Sequence, residues 1–166
     1  MIVFDASTLI LLAKVDLLGL FISHAKVPVL VPEAVRAEAC GSGREETPVI
    51  ARLLETGAIK TEKPRSRGMV RKLMVDFTID LGETEAIAIA FQEKGAVVAT
   101  DDRNAIRACK MLGIKFVTAI SVLVTLYEKQ LIARDASLAK LEKLAAIGRY
   151  GKAIIANAAK RLSEEY

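Results

Sequence analysis

Residues 96–102 read Ala96-Val97-Val98-Ala99-Thr100-Asp101-Asp102, a short β-branched run that stops on two acids and leads into a helical pattern from Asn104 to Leu112. The chain opens in the same way, with Ile2-Val3-Phe4 running into Asp5. Val27 to Val31, Ala58 to Thr61 and Lys115 to Val117 are three further runs of this kind, and helical sequence separates each from the next. Strands buried on both faces read as continuous apolar runs, and their alternation with helices specifies an α/β domain with a largely parallel sheet.

The helical segments are bounded by recognisable punctuation. Ser7 to Lys14 and Asp16 to His24 form the first crossover, and Pro32 opens a helix through Cys40 that Gly41-Ser42-Gly43 stops. Thr47 to Thr56 ends at Gly57, and Leu81-Gly82 precedes a very apolar helix ending near Gly95. From Ser121 the pattern is helical to the end, broken near Gln130 and by Gly148 and Gly151.

At 166 residues the chain predicts one domain, and 52% apolar against 27% charged residues excludes a disordered polymer. Lys14 and Asp16 interrupt the best apolar run, Ala6 to Phe21, short of the ~20 residues that a spanning helix needs. The opening MIVFDAS has no basic n-region of a signal peptide, so a cytoplasmic protein is expected. Cys40 and Cys109 lack CxxC spacing and read as buried thiols rather than a disulfide or zinc site. His24, the single histidine, reads as a helix-terminal surface residue.

Twenty-four basic against 20 acidic residues leave a net charge of +4, and its distribution is uneven. Lys60, Lys63, Arg65, Arg67, Arg71 and Lys72 cluster against Glu62 alone, as a polyanion-binding segment or as a solvated face. With no Trp and only 5% aromatics, a nucleic acid would be held by its phosphates rather than by base stacking.

In open parallel sheets ligands bind beyond the carboxyl ends of the strands. Asp5, Asp101 and Asp102 stand there, and Asp5 or Asp102 alone also reads as a helix N-cap. Glu38 lies three residues after Val35, on the apolar side of its helix, and Glu85 opens the apolar run Ala86-Ile87-Ala88-Ile89-Ala90 as the one charge between Thr84 and Phe91. An ionised group in such surroundings needs a compensating partner, whereas Glu83 is accounted for by the helix dipole. A bound cation would neutralise the set, and all-oxygen donors select Mg²⁺ or Mn²⁺.

Four stretches carry a resemblance: Ile2-Val3-Phe4-Asp5-Ala6-Ser7, Val31-Pro32-Glu33-Ala34-Val35-Arg36-Ala37-Glu38, Leu81-Gly82-Glu83-Thr84-Glu85-Ala86-Ile87-Ala88 and Thr100-Asp101-Asp102-Arg103-Asn104. In that order they resemble the PIN-domain ribonucleases, and among them the compact prokaryotic branch that includes VapC-like toxins. The resemblance implies a three-layer α/β/α sandwich around a mainly parallel five-stranded sheet, with a nuclease core over residues 1–120 and a helical extension over 121–166. It also implies a metal-dependent endonuclease acting on single-stranded RNA. Asp5, Glu38, Glu85 and Asp102 would be catalytic acids holding one or two Mg²⁺ or Mn²⁺ ions, with Asp101 an additional ligand and Ser7, Glu83 and Asn104 in support. Lys63, Arg65, Arg67, Arg71 and Lys72 would guide the RNA. An antitoxin protein is an expected partner if the chain is a toxin. A homodimer is a further expectation, from Leu123, Leu126, Tyr127, Leu131 and Ile132, for which core burial is the competing reading. The alternative to an enzyme is a PIN-like binding module without catalysis.

Overall fold

The computed structural model describes residues 1–41 and 43–164. Its strands are β1 (Ile2–Phe4), β2 (Val29–Pro32), β3 (Lys60–Glu62), β4 (Val97–Ala99) and β5 (Lys115–Val117). They form one parallel sheet in the order β3-β2-β1-β4-β5. β1 is therefore central, and Phe4 stands in register with Ala99, which puts Asp5 and Thr100 side by side at the carboxyl end.

Side chains alternate across the strands and divide the core in two. Phe4, Val29, Val31 and Ala99 face α1 (Ala6–Lys14), α2 (Leu18–His24), α3 (Glu33–Gly41), α4 (Thr47–Glu55), α8 (Ala119–Glu128), α9 (Arg134–Ile147) and α10 (Lys152–Arg161). Val3, Leu30 and Val98 face α5 (Arg67–Phe77), α6 (Leu81–Gln92) and α7 (Arg103–Leu112). This is the three-layer α/β/α sandwich.

Several boundaries differ from the sequence reading for local reasons. Pro32 ends β2, in register with Glu62, and α3 begins one residue later. Gly41 still belongs to α3, Gly43 is left-handed at φ +59°, and Ser42 lies outside the described residues. Asp16, at φ +56°, parts α1 from α2, and the two helices are bent by 107°. The longest apolar run is thus folded back on itself, and among the described residues no single helix is long and apolar enough to cross a membrane.

The late helices pack into the first core. Leu123, Leu126, Leu141, Leu144, Ala158 and Leu162 are buried with Phe4 and Leu9, while Tyr127, Leu131 and Ile132 pack against them. Of the apolar residues on which a dimer surface was expected, Leu123 and Leu126 thus belong to the core, and Tyr127, Leu131 and Ile132 are partly buried against it. Both cysteines are free, and burial pushes the Cys109 thiol up to about 12, which keeps it protonated and inert.

Candidate active site

Asp5 leaves β1 and caps α1. Its Oδ1 accepts from the Thr8 amide at 2.8 Å and its Oδ2 from the Ser7 hydroxyl at 3.1 Å. The side chain is fully buried, and that burial raises its pKa to about 7 against the pull of the Thr100 and Thr8 hydrogen bonds, with the Asp101 charge adding to the rise. Asp102 is half-buried and caps α7 through Ala105 N at 2.8 Å. Its own amide donates to the Thr100 hydroxyl oxygen at 3.2 Å. Thr100 therefore connects Asp5 and Asp102.

The helical acids fall differently from the sequence reading. Glu38 is exposed, because only Val35 and Ala39 of α3 are buried and Glu38 lies at the margin of that narrow stripe. One of its oxygens lies 4.0 Å from where a Cβ on Gly82 would stand. Gly82 opens α6 there, so Glu38 reaches the first turn of that helix. Glu83, on the same turn, has a buried Oε2 with no hydrogen-bond partner. Its pKa is raised, first by burial and then by the charges of Asp80, Asp102 and Glu38. Glu85 stands two residues on, about 200° around the helix. Its Oε2 accepts from the Ala34 amide at 3.2 Å, so the first turn of α3 supplies the compensating partner. On α6 it is thus Glu83 whose carboxylate feels the charges of Glu38 and Asp102, while Glu85 accepts from the start of α3.

Asp101 is occupied elsewhere. Its Oδ2 accepts from the Thr8 hydroxyl at 2.8 Å and from Ala119 N at 3.0 Å, and its Oδ1 accepts from the Tyr150 hydroxyl at 2.7 Å. Burial raises its pKa, and these donors offset only part of that rise while occupying both of its oxygens. Burial and the Asp101 charge push the Tyr150 phenol up, so it remains a donor. Asn104 also has a structural task, since its Nδ2 donates to the carbonyl of left-handed Thr78 at 3.2 Å and ties α5 to α7.

The basic segment is only partly available. Lys63 pairs with Glu33 at 3.2 Å, Arg65 with Glu93, and Lys72 with Asp76 at 3.1 Å. Among the described residues Arg67 and Arg71 form no ion pair. Both line a cavity of about 470 Å³ together with Lys63, Met74, Leu81 and Glu85.

Asp80, Thr8 and Tyr150 were not singled out from sequence. Asp80 carried a local signal, as the acid before a helix, whereas Tyr150 acts across a separation of 49 residues.

These residues suit a hard cation. The donors are all carboxylate oxygens, and Glu83 holds a buried oxygen with nothing to neutralise it, which is costly unless a positive charge or a proton is supplied. Among the described residues no three carboxylate, thiol or imidazole side chains already stand close enough together to grip one ion.

Comparison with the curated proteins returns no match. A family model described as a PIN domain matches residues 1–165, nearly the whole chain. Together with the parallel α/β/α sandwich and the acids at its carboxyl end, that match shows that the chain belongs to the PIN-domain family, a nuclease-type module.

Proposed function

We propose that the protein is a divalent-metal-dependent ribonuclease that hydrolyses phosphodiesters of single-stranded RNA. The observation that carries this reading is the partnerless, buried Oε2 of Glu83, set among the charges of Glu38, Asp80 and Asp102. Asp5, Glu38, Glu83 and Asp102 are the residues that would hold Mg²⁺ or Mn²⁺. When bound, the ion supplies Lewis acidity toward a phosphate oxygen and eases deprotonation of water.

The chain's own groups perform the remaining tasks. Ser7 and Thr8 fix the two oxygens of Asp5, so that its carboxylate does not swing away from the strand end. Thr100 holds the backbone of Asp102 against Asp5. Arg67 and Arg71, on the first turns of α5, attract the RNA backbone toward the acidic end, which would otherwise repel it. Glu85 faces that basic cavity and limits its charge.

Incubation of the purified chain with a panel of single-stranded RNAs tests the reading directly. Cleavage is expected with Mn²⁺ and not in chelator, and an intact panel under both conditions would leave the chain a binding module. The basic residues are tested by affinity rather than rate. Replacing Arg67 and Arg71 with Gln is expected to weaken RNA binding in chelator and to lower the magnitude of the log–log salt slope by about 1.4, at ~0.7 per lost phosphate contact on a single strand. An unchanged slope would make this segment a solvated face.

A further inference from the structure

We infer that Tyr150 is a positioning residue for the acidic site, through the relay from its hydroxyl to Asp101 and from Asp101 through Thr8 to Asp5. The inference rests on the proposal that Asp5 takes part in holding a divalent cation.

Tyr150 lies in the link between α9 and α10, within the helical extension and far in sequence from every strand end. Its hydroxyl nevertheless reaches Asp101 Oδ1 at 2.7 Å. The other oxygen of Asp101 receives the Thr8 hydroxyl at 2.8 Å, and the Thr8 amide in turn donates to Asp5 Oδ1 at 2.8 Å. Thr8 and Asp5 are fully buried, which shields the inner end of the relay from water, and the orientation of one end constrains the other.

A second observation shows that the site is built for this side chain. Gly148 has an ordinary extended backbone at φ −94°, ψ 169°, so its lack of a side chain is not a conformational requirement. It is a steric one. A Cβ at that position would stand 2.2 Å from Cε2 and 2.8 Å from Cδ2 of the Tyr150 ring. The glycine is the space into which the ring folds to bring its hydroxyl to Asp101.

Residues behind metal-binding side chains set their orientation, and losing such a partner costs affinity without removing a ligand. Tyr150→Phe in the full chain removes one hydrogen bond and keeps the ring in its seat. Tyr127→Phe is the control, since the Tyr127 hydroxyl donates to the Glu164 carbonyl at 2.6 Å, a tail contact elsewhere in the fold. The probe is Mn²⁺ alone, titrated calorimetrically and by the resonance signal of the free ion, with metal-free melting recorded for every protein. Both variants are expected to lose some thermal stability, but only Tyr150→Phe should raise the Mn²⁺ Kd by about tenfold. Gly148→Ala, which displaces the ring, is expected to weaken Mn²⁺ binding in the same direction. An unchanged Mn²⁺ Kd in Tyr150→Phe would overturn the inference and leave the contact as a fold latch. A wild-type chain that takes up no Mn²⁺ would overturn the metal reading itself, and the inference with it.

Discussion

Asp5→Asn is expected to lower RNA cleavage by at least on the order of 10²-fold while making the metal-free protein more stable at neutral pH. The two effects have one origin. Asn keeps the shape of the side chain and an oxygen for the Thr8 amide, so the cap on α1 survives. What disappears is a buried charge. Burial lifts the folded-state pKa of Asp5 to about 7 from an ordinary 3.8, so the native state holds this proton more tightly than the unfolded chain does. Below about pH 4 both states are protonated and the substitution changes little. Between pH 4 and 7 the unfolded state releases the proton first, and wild-type stability falls by roughly 1.4 kcal/mol per unit through this one group. The advantage of Asp5→Asn should therefore grow across that window and level off above it, as measured by denaturant unfolding in chelator. A variant equally destabilised at every pH would show that Asp5 serves the fold and not a cation.

The second large effect separates Glu83 from Glu85. Glu83→Gln is expected to reduce cleavage by on the order of 10²-fold and to weaken Mn²⁺ binding, while raising the metal-free melting temperature. The stabilisation follows because Gln removes a half-buried charge that Asp80, Asp102 and Glu38 repel. Glu85→Gln keeps an acceptor for the Ala34 amide and removes a negative charge from the cavity of Arg67 and Arg71. RNA should then bind at least as tightly, with Mn²⁺ affinity unaltered. Parallel Mn²⁺ titrations and cleavage rates decide between the two glutamates, and the reverse pattern would return Glu85 to the acidic set.

The order of strands and helices was legible because its signals are local. Short apolar runs, Gly57 and Gly113 after helices, and strand ends closing on Asp5 and Asp102 depend on neighbours within a turn or two. The central place of β1 suits the right-handed winding of parallel strands. Helix phase was harder to read. Glu83 and Glu85 lie on opposite sides of α6, a helix whose apolar residues surround it almost completely, so no stripe marks which glutamate faces the strand ends. Packing of α6 between β1, β2 and α3 decides it.

Sequence alone determined the α/β order and the carboxyl-end position of Asp5 and Asp102, since each is a property of spacing along one dimension. Only the tertiary structure decided that Asp101 is held by Tyr150, Thr8 and the start of α8, that Glu85 answers the first turn of α3, and that the late apolar helices fill the core. The hydrogen bonds among those contacts join residues 18 to 93 positions apart, and a carboxylate's role depends on which donors the fold brings to it.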